Sequence, residues 1–268
     1  MSKLMIGADP EFFVRRGAHY LPGHIFPCGT KELPLKTPHG HVQVDGIALE
    51  VNVEPAETRD DFVRNVRNVM LDVTEIMRQK EPKAQLIPKP SVFIGSQKLS
   101  RLPQKNFILG CEPDFNAWEN NRVNARPNPE MPIRTGAGHI HVGWTNVENP
   151  RNIRHMVECG RVARQLDYYL GLPSLLWDDD NRRRTLYGKA GTFRPKPYGM
   201  EYRVLSNAWV ATDELIGWVF DRTVAAVTDL WAGKDLTKKY GQAAPQYIDN
   251  NNAEWRQKRR DLAKELLV

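Results

Sequence analysis

The 268-residue chain is poor in cysteine: Cys28, Cys111 and Cys159 are its three, and no two are close. That spacing excludes a disulfide framework and a Cys-based zinc site. No apolar run approaches the roughly 20 residues of a membrane span, and no basic-then-apolar leader opens the sequence. A soluble, cytoplasmic protein is expected. There is no Gly-x-x-x-x-Gly-Lys-Ser/Thr loop and no kinase catalytic loop, so any nucleotide must be held in another way. A Pro/Ser-rich linker is also missing, which predicts a single domain over residues 1–268 with a helical extension from about 234. Hydrophobic residues at 41% and charged residues at 26% exclude disorder and fibres.

What the chain does have is a net charge of +6, unevenly placed. Residues 1–150 hold 18 basic and 17 acidic side chains, residues 151–203 hold 11 and 6, and residues 204–268 hold 9 and 9. A nucleic-acid arm is usually a bare basic run. Here the arginines sit among Gly, Tyr and Pro, which points to a shaped anion site. Part of the excess, Arg151, Arg154, Arg161 and Arg164, lies on a predicted helix and leaves room for an acidic partner.

Periodicity predicts the elements. Lys3–Val14 reads as a strand, with Asp9 and Glu11 on one face and Pro10 demoting it to an edge or bulged strand. Val42–Val53 reads as a hairpin turning at Asp45-Gly46, after which Glu50, Asn52 and Glu54 alternate with apolar residues. Thr58 caps a helix to Lys80, with Asp61 in a capping-box position and Phe62, Val66, Val69, Val73 and Ile76/Met77 as its stripe. Short strands follow at Gln85–Ile87, Ser91–Ile94, Phe107–Trp118 and Gly138–Trp144. A helix capped by Asn149, with Pro150 first, runs to about Leu170. Asp178–Tyr198 reads as a loop, Met200–Leu205 as a strand, and Thr212–Trp231 and Ala253–Leu267 as helices. The sum is an α+β fold: a mainly antiparallel sheet with helices packed on one face.

Three constellations carry chemistry. Asp9, Glu11, Glu50 and Glu54, with Glu112 and Asp114 as additions, place carboxylates on strand faces. Clustered acids repel unless a cation neutralises them, and oxygen ligands in this number suit magnesium or manganese. A solvated sheet face is the plainer reading of one such strand, and repetition in several strands argues against it. A short echo, Gly7-Ala-Asp-Pro-Glu-Phe-Phe13 against Gly110-Cys-Glu-Pro-Asp-Phe-Asn116, adds to that repetition. In Gly136-Ala-Gly-His-Ile-His-Val-Gly143, His139 and His141 share a face and can bind metal or phosphate, while the glycines allow close backbone approach. The segment Arg182–Arg203 presents Arg184, Lys189, Arg194 and Arg203, with Glu201 beside them; guanidinium forks recognise phosphate and carboxylate. A surface loop with solvated arginines is the plainer alternative. Together the three fit phosphoryl transfer, where cations neutralise developing charge.

The ordered set resembles the glutamine synthetase / glutamate–cysteine ligase superfamily, and within it the phage-type carboxylate–amine ligases. Asp9-Pro-Glu11-Phe, Asp45-Gly-Ile-Ala-Leu-Glu-Val-Asn-Val-Glu-Pro55, Gly110-Cys-Glu-Pro-Asp-Phe-Asn-Ala-Trp118 and Tyr187-Gly-Lys-Ala-Gly-Thr-Phe-Arg194 carry the resemblance. It implies a glutamine synthetase-like catalytic sheet that binds ATP with Mg2+ (or Mn2+), an acyl-phosphate intermediate, and small-molecule or peptide carboxylate and amine substrates. For a phage-encoded chain the compartment would be the host cytoplasm. By the same resemblance Glu11, Glu50 and Glu54 would bind one metal, and Asp9, His139 and Glu201 another. Arg194 and Arg203, helped by Lys189 and Arg184, would contact the transferring phosphate, with His141 near it. Asp178, Asp179 and Asp180 offer a base for the amine, against the plainer reading of a solvated acidic turn. Competing readings are a guanidino-type phosphotransferase, a metal-dependent hydrolase, and a non-enzymatic nucleic-acid-binding phage protein. Neither a membrane nor a nucleic acid is the expected partner.

Overall fold

The computed structural model describes residues 3–95, 102–103, 113–125, 131–178, 180–250 and 256–267. Its strands are β1 (Met5–Arg16), β2 (His19–Leu21), β3 (Leu35–Thr37), β4 (Gly40–Asp45), β5 (Ala48–Ala56), β6 (Gln85–Ile87), β7 (Ser91–Phe93), β8 (Phe115–Asn116), β9 (Arg122–Val123), β10 (Ile133–Thr135), β11 (Gly138–Gly143), β12 (Thr192–Lys196) and β13 (Gly199–Tyr202). The helices are α1 (Arg59–Lys80), α2 (Ile153–Leu166), α3 (Asn181–Leu186), α4 (Asp213–Trp231), α5 (Leu236–Tyr240), α6 (Ala243–Ile248) and α7 (Arg256–Glu265).

The main sheet runs β3-β4-β5-β1-β11-β13-β12-β8-β9, with β2 and β6 also paired to β1, and every pairing of named strands is antiparallel. A small β10-β7 pair stands apart. One face of the main sheet is covered by α1 and α2, and α4 packs against both helices. The expected α+β architecture is therefore present. The core between sheet and helices joins Ile6, Phe12, Val51, Ile140, Val142 and Met200 to Phe62, Val66, Val162, Ile216 and Val219. Each such side chain, fully buried, contributes about 1.5–3 kcal/mol.

Several elements follow the sequence closely. Thr58 caps α1 by accepting from the Asp61 amide at 3.2 Å, and its hydroxyl donates to the Asp61 carboxylate at 2.7 Å. The buried stripe of α1 is Phe62, Val66, Val69, Val73 and Met77. Thr212 caps α4, and Gly233 leaves it at φ 91°.

Others differ. β1 is not an edge: it lies between β5 and β11. Pro10 is tolerated because the β1–β11 ladder ends there, opposite Gly138, while the β1–β5 ladder steps from Ala8↔Val53 to Glu11↔Glu50. The cap of α2 is Asn152, which accepts from the Arg154 amide, whereas Asn149 closes a separate turn on Arg151. The helix passes at Asp167–Gly171 into a π turn. The stretch 178–198 is not a loop but contains α3 and β12. The predicted strand Phe107–Trp118 lies largely outside the described residues, as do Glu112, Cys111 and Asp179.

Candidate active site

The face of the sheet away from the helices carries the row of candidate residues, and register assembles it. In an antiparallel pair, residues directly opposite share a face. Glu11 is opposite Glu50, Asp9 opposite His139, His141 opposite Glu201, and Glu201 opposite Arg194. Four pairings thus align acid, acid, His, acid and Arg across β5, β1, β11, β13 and β12. A slip of one residue in any strand would turn its member into the core. Gly138 lets β11 start tightly: a Cβ there would fall 2.6 Å from the Ser206 carbonyl.

Two groups that could hold a metal ion result. Glu11, Asp45 and Glu50 each offer an oxygen within 4.8 Å of the others, as do Asp9, His141 and Glu201 with one ligand atom apiece. In the first group burial and the neighbouring Asp45 push the Glu11 carboxyl up to about 8. Burial, with Asp9, Asp45 and Glu11 nearby, drives Glu50 well above its usual range, and burial raises Asp45 also. In the second group burial alone would raise Asp9, but His141 and His139 hold it low. Burial would likewise raise Glu201, yet Arg203 and Arg194 keep it well below the usual range.

His139 lies beside the second group, its Nδ1 3.1 Å from Asp9 and 3.3 Å from Glu201. Burial and Arg203 lower it to about 4, so it is neutral at pH 7. His141 Nε2 is 3.0 Å from Asp9 Oδ2, and that carboxylate raises His141 against the effect of burial. The outer nitrogen of each ring meets a phenol: Tyr187 at 3.1 Å from His139 Nε2, and Tyr198 on His141 Nδ1.

These donors fit a divalent cation. Asp9, His141 and Glu201 converge one ligand atom apiece, and Glu11, Asp45 and Glu50 crowd together with raised affinity for protons. A cation would neutralise the crowded carboxylates, and the oxygen-rich donor set suits magnesium or manganese.

The cationic side chains border this row. Arg203 ion-pairs with Glu201 and reaches Asp114 at 3.3 Å, and Arg194 and Lys196 reach Glu201 at 3.2 and 3.3 Å. A cavity of about 450 Å3 opens beside them, lined by Glu11, Asp45, Arg134, Lys189, Arg194 and Arg203 among others. A second, of about 800 Å3, is lined by His141 and walled by Met5, Pro55, Trp144 and Tyr198, with Asn52 and Asn146 as polar groups.

The structure thus brings together Asp9, Glu11, Glu50, His139, His141, Glu201, Arg194 and Arg203, with Lys189 exposed at the cavity rim. Two expected residues are elsewhere. Glu54 is exposed, because β5 carries an extra residue between the pairs Ile6↔Ala56 and Ala8↔Val53, and that bulge takes Glu54 out of the alternation. Asp45 stands in its place. Arg184 is buried against Asp178 at 3.0 Å and also bonds the Asp178 and Asp180 carbonyls, so it braces α3 and does not line the cavity.

Of the acidic turn, the two described residues are held in place. Asp178 is buried on Arg184 and Ser206, and Asp180 caps α3 while accepting from Ser91 at 2.5 Å. Sequence reasoning missed Asp45, Tyr187 and Tyr198. Asp45 was legible as the third of the alternating polar positions His41, Gln43 and Asp45; its Gly neighbour drew it into a turn reading. The tyrosines carried only the signal of flanking glycine.

An antiparallel sheet thus sets two clusters of acids and a histidine beside buried arginines on one face. The chain belongs to the phage phiEco32-like COOH·NH2 ligase type 2 family, whose model matches residues 123–262. It is thereby a member of a carboxylate–amine ligase family. The match contains His139, His141, Arg194, Glu201 and Arg203; Asp9, Glu11, Asp45 and Glu50 precede it and join through the sheet. No curated protein matches the chain.

Proposed function

We propose that this chain is an ATP- and magnesium-dependent ligase, with manganese able to substitute, that forms an amide or peptide bond through an acyl phosphate. The observation that carries the reading is the row in which Glu50, Glu11, Asp9, the two histidines, Glu201 and Arg194 share one sheet face. A glutamine synthetase-like sheet within a single catalytic domain is the corresponding architecture.

A carboxylate is a poor electrophile. Its oxygen attacks the γ-phosphorus, the bond to ADP breaks, and the mixed anhydride gains a good leaving group. The amine then forms the C–N bond, phosphate departs with the C–O electron pair, and the amine loses a proton. Glu11, Asp45 and Glu50 would hold one ion, and Asp9, His141 and Glu201, with His139 beside them, the other. Bound divalent ions would neutralise the oxygens that converge in the transition state. Arg194 and Arg203 bind the transferring phosphoryl group from the opposite side, and Lys189 closes on it from the rim. Glu201 aims both guanidinium groups. The larger cavity, apolar with Trp144 and Tyr198 as flat walls, accepts the nucleotide base, and the smaller, cationic one accepts the carboxylate substrate. Substrates are small molecules or peptides bearing a carboxylate and an amine.

The test uses a pool of carboxylates carrying 18O, incubated with ATP, magnesium and candidate amines. A ligase moves one 18O into inorganic phosphate. A stable phosphorylated product without amide would establish a phosphotransferase, and turnover without ATP a hydrolase.

A further inference from the structure

Asp167 has no part in the chemistry above, yet it is a fully buried carboxyl on the helix side of the sheet. Burying such a group is costly unless its partners repay the loss of water. Its partners are neutral donors: Trp118 Nε1 at 2.6 Å, the Tyr202 hydroxyl at 2.6 Å, and the Gly191 amide. A carboxylate, having only acceptors, can serve three donors at once. It sits in the π turn, and such turns often mark functional sites.

Two of those donors, Tyr202 and the Gly191 amide, belong to the two segments that bear the cations, and Trp118 packs on one of them. Tyr202 lies between Glu201 and Arg203 in sequence. Gly191 follows Lys189 by two residues and precedes Arg194 by three. Trp118 packs on Gly191 so closely that a Cβ there would fall 2.5 Å from its Cδ1, and Gly191 has φ 68°. Gly171, at the end of the π turn, leaves room for the Tyr202 hydroxyl, which a Cβ would approach to 2.6 Å. Asp249, from the segment after α6, holds the neighbouring Ala190 amide at 2.8 Å.

We infer that Asp167 is a positioning residue: through Tyr202, Trp118 and the Gly191 amide it fixes the Glu201–Arg203 strand and the Lys189–Arg194 segment at one separation, so that an anion meets a preformed set of cations. This inference rests on the ligase reading for its kinetic consequence, but not for its structural one.

The experiment compares the full chain with Asp167→Ala, Asp167→Asn, Tyr202→Phe and Trp118→Phe. Hydrogen exchange is read on peptides from 186–203 and, as the internal control, from α1 and α4; KM for ATP and kcat are read by phosphate release. Exchange in 186–203 should speed roughly tenfold or more in Asp167→Ala with α1 and α4 unchanged, as expected for a local opening. Asp167→Asn, whose amide oxygen still accepts, should recover part of it, and KM for ATP should rise more than kcat falls. Unchanged exchange in 186–203, or equal acceleration in α1 and α4, would overturn the inference. If Asp167→Ala does not fold, Tyr202→Phe, which removes one oxygen only, decides by the same readout. A wild-type chain that consumes no ATP would sink the ligase reading and leave the exchange result to judge the positioning role.

Discussion

Glu201 shows how much a single side chain carries. It is 1% exposed, and Arg203, Arg194 and Lys196 all reach its carboxylate, with His139 beside it. Removing its charge strands buried guanidinium groups, and breaking such a pair costs about 3–5 kcal/mol. Glu201→Gln should therefore lower stability by ~3 kcal/mol in urea unfolding and abolish phosphate release. The acids differ from one another in the same way. Asp45→Asn should weaken the thermal stabilisation by manganese, whereas Glu54→Gln, on an exposed side chain, should leave it unchanged in the same melting assay. Most of the site residues were legible from two-residue spacing, since a strand alternates its faces whatever surrounds it. Glu54 and Asp45 were exchanged because a bulge and a turn are set by the partner strand, which one strand's pattern does not contain.

At the scale of elements, local chemistry wrote the helices and left their surroundings open. Thr58→Ala should cost about 1 kcal/mol, the usual loss for a hydroxyl cap, in the same unfolding measurement. The cap of α2 was misplaced by one turn, at Asn149, because Asn149 and Asn152 both accept from an amide two residues on, and only Asn152 begins the continuous helix. The π turn beyond α2 had no signal in the sequence. Its Asp167 is pushed by burial from 3.8 to about 7, so the folded chain binds that proton more tightly than the unfolded chain does. Its contribution to stability is fully present below about pH 4 and is lost as pH rises toward 7. The stability of wild type relative to Asp167→Asn should therefore fall across that window and level off above it, as followed by denaturant midpoints at successive pH values. A difference independent of pH would contradict the shift.

For the molecule as a whole, the charge imbalance turns inward. Of the basic residues between 151 and 203, Arg183, Arg184, Arg194 and Arg203 are buried, with Arg183 tied to the Val204 and Leu205 carbonyls at 2.7 Å. Among the described residues no helix is long and apolar enough to cross a membrane. The two cavities differ in the character of their walls: Arg134, Lys189, Arg194 and Arg203 line one, and Trp144, Tyr198 and His141 the other. Trp144→Ala should raise KM for ATP by roughly tenfold, the worth of one stacked base at ~1–3 kcal/mol, with KM for the carboxylate unchanged in the same steady-state assay. An equal effect on both constants would assign the larger cavity otherwise.

The sequence by itself determined the secondary structure of the long elements, the α+β class, and the faces on which Asp9, Glu11, Glu50, His139, His141 and Glu201 lie, because those follow from periods of two and 3.6 residues and from caps. It also determined that the excess positive charge belongs to a compact segment. The tertiary structure decided which strands are neighbours, that β1 is central despite Pro10, that Asp45 joins the acids while Glu54 leaves them, and that Arg184 braces α3 away from the cavity. Each of those rests on pairing between residues distant in the chain, where register and burial are settled jointly and no local pattern records the partner.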